Sequence, residues 1–248
     1  MRQRSRMLHD IECHESRFPA KNDPKTKAFH TRDTASGNEQ KVNLVNQCYA
    51  IVPAAGRSRR MGQSKLLLPW ADWTVIDQLL FTWLSSNVDQ VVVVVREDDE
   101  DLKAACGRWP VHLIKPANAP RNMKESIQIG MNFLENHWKP TNEDRCLIAP
   151  ADLPGLTSAV INRLIESNAG SSTVVIPRFG DRQGHPVLLP WPVLQQISDL
   201  SDAQGVNQIV DQNPQDAVAF SADEYFQDID TPKEYQALLN EQKTQEKE

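Results

Sequence analysis

The sequence is poor in the features that most often declare a protein's role. Its four cysteines, Cys13, Cys48, Cys106 and Cys146, lie far apart with no CxxC pair. That spacing speaks against a zinc site or a disulfide framework and for reduced thiols. No apolar run reaches the length of a membrane span, and the amino terminus lacks the hydrophobic stretch of a signal peptide, so a cytoplasmic, membrane-free protein is expected. The nucleophile elbow GxSxG and the zinc motif HExxH are both missing. So are the two common phosphate-loop strings, GxxxxGK(S/T) and GxGxxG. Trp73, Trp83, Trp138 and Trp191 are scattered, as packing residues are, and form no base-stacking platform. Lys and Arg number 27 against 33 Asp and Glu, a net charge of −6. A polyanion binder usually carries a basic face, so nucleic acid is not expected as the main partner.

What is present divides the 248 residues unevenly. Residues 1–47 mix Arg, Lys, His, Asp and Asn with few aliphatics and hold no helical or strand period. A disordered extension is expected there; a mispredicted start and a weak partner-binding tail are the alternatives. Residues 48–240 form one domain, followed by a charged tail at 241–248. Strand-like runs fall at Ala50–Pro53, Gln90–Val95, Val111–Ile114, Cys146–Ala149 and Thr173–Pro177. Amphipathic segments predict helices at Val75–Ser86, Asp98–Ala105, Met123–Trp138, Ser158–Ser167 and Pro232–Gln242. The unbroken Val91–Val95 run is apolar on both faces, as in a central strand covered by helices. This alternation predicts an α/β fold, a Rossmann-like three-layer sandwich with a mainly parallel sheet.

The most informative stretch follows the first strand. Ala54, Ala55 and Gly56 carry little side chain, so a triphosphate could approach their N–H groups, and Arg57, Arg59, Arg60 and Lys65 supply counter-charge. A solvated basic turn is the competing reading, but so many cations at the end of one buried strand of an acidic protein favour phosphate. The spacing of Lys65 lets its ammonium reach back over the phosphates as a compact point charge.

Two carboxylates occupy comparable rim positions. Asp152 stands just past the strand in CLIAPADLPGL, and Asp230 in QDIDTP precedes a helix-starting Thr-Pro. By position alone Asp152 reads equally well as a turn or cap residue. Together they make a site for Mg²⁺, which is commonly held by one or two carboxylates plus substrate phosphates. His185, alone in GDRQGHPVLL, is by itself as readily structural as functional.

The string AAGRSRRMGQSKLLLPW resembles the AAGxSxRMGxxKLLLP signature of the MobA-like nucleotidyltransferases, and within them the molybdenum cofactor cytidylyltransferase branch. Asp152, Gly184-His185-Pro186 and Asp228-Ile229-Asp230-Thr231-Pro232 follow in the family's order, so the resemblance runs from about Tyr49 to Leu239. It implies a Mg²⁺-dependent enzyme of the EC 2.7.7 class that uses CTP and the phosphate of molybdopterin-bound molybdenum, with a molybdoenzyme apoprotein as a further partner. It makes Lys65, Arg60 and Asp152 catalytic and puts the metal on Asp152 and Asp230, with Asp228 as a less favoured substitute. The nucleotide falls to Ala54, Ala55, Gly56, Arg57, Ser58, Arg60, Lys65 and Ser126, and the acceptor pocket to His185. The family's GMxxS reads here with Asn122 in place of glycine, a residue that also caps helices. Relatives that select GTP generally have a second glycine where this chain has Ala55, which favours CTP. The alternatives are a guanylyltransferase, a sugar-phosphate or methylerythritol-phosphate nucleotidyltransferase, and a silent cofactor-binding or insertion protein.

Overall fold

The computed structural model describes residues 46–58, 60–167, 172–201, 203–221 and 227–245. In chain order the elements are β1 (Cys48–Pro53), β2 (Pro69–Trp70), β3 (Trp73–Thr74), α1 (Val75–Leu84), β4 (Gln90–Val94), α2 (Glu100–Cys106), β5 (His112–Ile114) and α3 (Met123–His137). There follow β6 (Arg145–Ile148), α4 (Ser158–Ser167), β7 (Val174–Phe179), β8 (Arg182–Gln183), β9 (Val187–Pro190), α5 (Trp191–Gln195), α6 (Val206–Gln212), β10 (Gln215–Phe220) and α7 (Pro232–Gln245). The expected extension at 1–47 falls outside these residues except for its last two. Of those, Gln47 donates its N–H to Asp144 Oδ1 at 2.7 Å and accepts from Arg145 N at 2.9 Å.

The main sheet runs β10-β7-β9-β6-β1-β4-β5, with β8 paired to β7. β1 is parallel to both β4 and β6, and β4 to β5, whereas β9 lies antiparallel between β6 and β7. Successive side chains of a strand point to opposite faces, and both faces of β1 and β4 are buried. Ala50, Val52, Val91 and Val93 pack with Leu79, Leu80, Trp83 and Leu164 on one side. Tyr49, Ile51, Val92 and Val94 pack with Ile127, Met131, Leu134 and Trp191 on the other. Each such side chain removed from water contributes ~2 kcal/mol, which accounts for the unbroken valine run. The sheet is thus the middle layer of a three-layer α/β sandwich, as the periodicity predicts.

All five expected strands and five expected helices are present, most with ends displaced by one or two residues. The short hairpin strands β2, β3 and β8, the strands β9 and β10 and the helices α5 and α6 are additions. β9 is only VLLP, bounded by prolines, and β10 is a largely exposed edge strand, so neither carries a strong period. Among the described residues no helix is long and apolar enough to cross a membrane. Cys48, Cys106 and Cys146 are buried free thiols, and burial pushes the first two up to about 12.

Candidate active site

From β1 the chain moves outward through β4 to β5, then returns to place β6 on the other flank of β1. The order therefore reverses between β1 and β6, and open α/β sheets bind ligands beyond the carboxyl ends of strands at such a point. The loop after β1 ends at Lys65 and the turn after β6 holds Asp152, so the topology alone brings these two residues to one crevice.

The loop is shaped by two residues in left-handed backbone, Ser58 (φ 45) and Gly62 (φ 66). Ser58 O accepts from Met61 N at 2.9 Å, and Ser58 Oγ accepts from Lys65 N at 3.2 Å, closing the loop on itself. Buried Met61 and Leu66 anchor it. A polar cavity of about 340 Å³ opens beside it, lined by Gly56, Arg57, Ser58, Gly62, Gln63, Ser64, Arg96 and Asp99. Arg57 pairs with Asp98 at 3.3 Å while half exposed. Arg60 reaches across the crevice from an exposed position to Asp230 Oδ2 at 2.8 Å.

Lys65 and the carboxylates form the centre. Lys65 Nζ donates to Asp152 Oδ2 and, at 3.2 Å, to Asp230 Oδ1. Asp152 is buried, and its Oδ1 has no hydrogen-bond partner. Burial pulls the Lys65 ammonium down, but the Asp152 and Asp230 carboxylates outweigh it and hold the pKa above the usual lysine value. Burial pushes the Asp152 carboxyl up, Lys65 draws it partly back, and Asp228 adds repulsion. The acidic motif is tied to this turn by Ile229 N donating to Asp152 O at 3.2 Å. A capping box then fixes Asp230. Glu234 Oε2 accepts from Thr231 N at 2.7 Å and from Asp230 N at 3.1 Å, while Thr231 Oγ1 accepts from Glu234 N at 3.3 Å. Asp152, Asp228 and Asp230 each offer an oxygen within 4.8 Å of the others. A buried unpaired carboxylate oxygen in a cluster of hard oxygen donors fits a divalent cation such as Mg²⁺.

The remaining expected residues divide. His185 is exposed, follows Gly184 and precedes a cis Pro186. Desolvation by the surrounding protein lowers its pKa, and Asp152 and Asp228 pull it upward, which puts it within their field. Gly184 has a packing reason as well, since a Cβ there would stand 2.7 Å from a Phe179 ring carbon. Two residues expected at the nucleotide are engaged elsewhere. The Ala54 N–H donates to Val94 O at 2.9 Å, and its side chain is buried, so it has no amide to offer a phosphate. Ser126 is buried in α3, where its hydroxyl donates back to Asn122 O at 3.3 Å. Asn122 caps α3 by accepting from Glu125 N at 3.0 Å, in extended rather than left-handed backbone. Arg96, which the sequence reading did not single out, lies against the loop. Its signal was a cation placed directly after the buried valine strand.

Cations on one lip of a switch-point crevice and carboxylates on the other suit an enzyme that handles a nucleotide and its metal. The model of the MobA-like NTP transferase domain matches residues 50–218, and the chain belongs to that family of nucleotidyltransferases, whose substrates include a nucleoside triphosphate. It is 23% identical over 186 residues to the molybdenum cofactor cytidylyltransferase of Escherichia coli, covering 75% of this chain and 92% of the relative. It is also 26% identical over 200 residues to the nicotine blue oxidoreductase of Paenarthrobacter nicotinovorans, covering 76% and 95%. Among solved structures, that of Rv0371C in complex with manganese, from Mycobacterium tuberculosis, superposes with a TM-score of 0.65 at 23% identity, covering 79% of this chain and 99% of the other.

Proposed function

We propose that this chain transfers CMP from CTP to the phosphate of molybdenum cofactor and releases pyrophosphate. A phosphate oxygen of the acceptor attacks the α-phosphorus in line, and the bond from that phosphorus to the bridging oxygen breaks. Its electron pair leaves with the pyrophosphate. A phosphate monoester is already ionised near neutral pH, so the step needs no general base, and positioning and charge stabilisation carry the catalysis. Lys65 and Arg60 neutralise phosphate charge from one lip, and the backbone of the Ala55–Ser58 loop with the Arg57 side chain lines the triphosphate's path. Asp152 and Asp230, with Asp228 beside them, would hold a divalent cation, Mg²⁺ in this reading. Bound there, it would supply positive charge to offset that of the phosphates. His185 faces the acceptor.

The observation that carries the reading is the Lys65 ammonium seated between Asp152 and Asp230, with the unpaired Asp152 oxygen beside it. The manganese complex of the mycobacterial relative supports a divalent ion. The cytidylyl assignment rests on the E. coli relative and on Ala55, whose methyl narrows the space a purine would need. The test is purified protein with molybdopterin cofactor, Mg²⁺ and each of the four nucleoside triphosphates, scored for pyrophosphate and dinucleotide. CTP should exceed GTP in kcat/KM by about ten-fold or more. Equal use or a preference for GTP would end the cytidylyl assignment, and no pyrophosphate with any of the four would end the assignment of molybdenum cofactor as the acceptor.

A further inference from the structure

Arg96 stands one residue past Val95 at the carboxyl end of β4, and its side chain is only 11% exposed. Its guanidinium is committed to two neighbouring loops. Nη1 donates to Gly56 O at 3.1 Å and to Ala55 O at 3.5 Å, the latter at the limit of a hydrogen bond. Nε donates to Asp98 Oδ1 at 2.8 Å and Nη2 to Asp99 Oδ2 at 3.2 Å. Asp99 is itself fixed, because its other oxygen caps α2 by accepting from Leu102 N at 3.3 Å. Asp98, shared with Arg57, and Asp99 offset its positive charge, so Arg96 presents little net field to an anion. Its effect has to run through the backbone it grips.

In a trans peptide the carbonyl and the following N–H point in opposite directions. Among the described residues the only cis bond is His185–Pro186. Drawing Ala55 O and Gly56 O toward Arg96 therefore turns the N–H groups of Gly56 and Arg57 to the loop's other side. Among the described residues neither amide has a protein acceptor, whereas the preceding Ala54 N–H is spent on Val94 O. Successive N–H groups facing one way make an anion-binding concavity. The site is also open, since a Cβ built on Gly56 would meet nothing within 4 Å.

We propose that Arg96 is a positioning residue that presets the Gly56 and Arg57 amides to receive the phosphates of a nucleoside triphosphate, without touching the phosphates itself. The proposal deepens the nucleotidyltransferase reading and rests on it.

The test uses the full chain, labelled for amide NMR and titrated with inorganic tripolyphosphate, CTP and CMP, together with Arg96→Met and Arg96→Lys. In the native chain the Gly56 and Arg57 amide signals should move downfield with tripolyphosphate and CTP. Arg96→Met should raise KM for CTP and Kd for tripolyphosphate about ten-fold, because the amides lose their preset orientation. The KM for acceptor should stay constant and kcat should change less than three-fold, a split that general loosening of the fold would not give. Arg96→Lys should recover little, since one ammonium cannot fork between two carbonyls and two carboxylates. Native-like triphosphate affinity in a folded Arg96→Met protein overturns the proposal. So do unmoved Gly56 and Arg57 signals in a native chain that binds CTP, a result independent of how the variants fold. A native chain that binds neither CTP nor tripolyphosphate overturns the nucleotidyltransferase reading as well, which distinguishes the two failures.

Discussion

Carboxylates gather at both ends of this sheet, and the two groups behave differently. At the amino end, Asp89 Oδ2 accepts from Cys48 N at 2.7 Å. Asp144 accepts from Gln47 N through one oxygen and from Thr141 N and Oγ1 through the other, at 2.7, 2.7 and 3.2 Å. These acids serve the backbone where the chain enters β1. At the carboxyl end, Asp152 and Asp230 face the side-chain cations Lys65 and Arg60, and one buried oxygen of Asp152 has no partner at all. Clustering of acids is common to both ends. Among these acids, a buried oxygen without a hydrogen-bond partner is what sets the carboxyl end apart, because such an atom costs about 1–3 kcal/mol unless something outside the chain pairs with it.

Substitution at the two ends should separate them. Asp152→Asn should lower kcat by about a thousand-fold or more, since it removes the buried anchor of cation and lysine together. Near-native turnover at saturating Mg²⁺ in a steady-state pyrophosphate assay would erase the distinction. Asp230→Asn should cost about ten- to a hundred-fold, less than Asp152 because Asp230 is 42% exposed and Asp228 stands within reach. Equal losses at the two positions would show that burial is not what ranks them.

The amino-end substitutions should leave turnover alone and move stability. Asp144→Ala strips three donors of their acceptor and should destabilise by about 1–3 kcal/mol in denaturant titration. Asp89→Asn should act in the opposite direction. Burial, with a contribution from Asp144, raises the Asp89 pKa above its unfolded value, and the Cys48 N–H opposes this only in part. A raised pKa means that the fold favours the protonated form. That stability is fully present below the unfolded pKa and is lost as pH rises through the folded one. Asparagine keeps an oxygen for Cys48 N without the charge, and because Asp89 is exposed to solvent the gain at pH 7 should be small, a Tm rise of about 1 °C or less. The gain should vanish as pH falls below the ordinary aspartate range. A Tm gain that grows on acidification would contradict the assignment.

The carboxyl end was legible in sequence where local pattern and chemistry coincide. Lys65 and Arg60 stand in a cation-rich turn after a β-branched strand, Asp152 follows an apolar run into a proline-containing turn, and Asp230 precedes a helix-starting Thr-Pro. The amphipathic period of α4 fixed its bounds at Ser158–Ser167. What stayed hidden depends on lateral neighbours. Arg96 matters because β4 lies beside β1 with Pro53 opposite Val94, a pairing no local pattern encodes. Ala54 reads as an open loop amide until that same neighbour claims its N–H. Ser126 sits on the α3 face that turns inward, and β9 is too short and too bounded by prolines to register as a strand.

The contrast between the two ends can be measured directly as Mn²⁺ binding, followed by electron paramagnetic resonance at neutral pH in the presence of CTP. The native chain and Asp89→Asn should bind Mn²⁺ with the same affinity, and Asp152→Asn should weaken it about ten-fold or more. Undiminished binding in a folded Asp152→Asn protein, or an equal loss in Asp89→Asn, would contradict a metal seat at the carboxyl ends of β1 and β6.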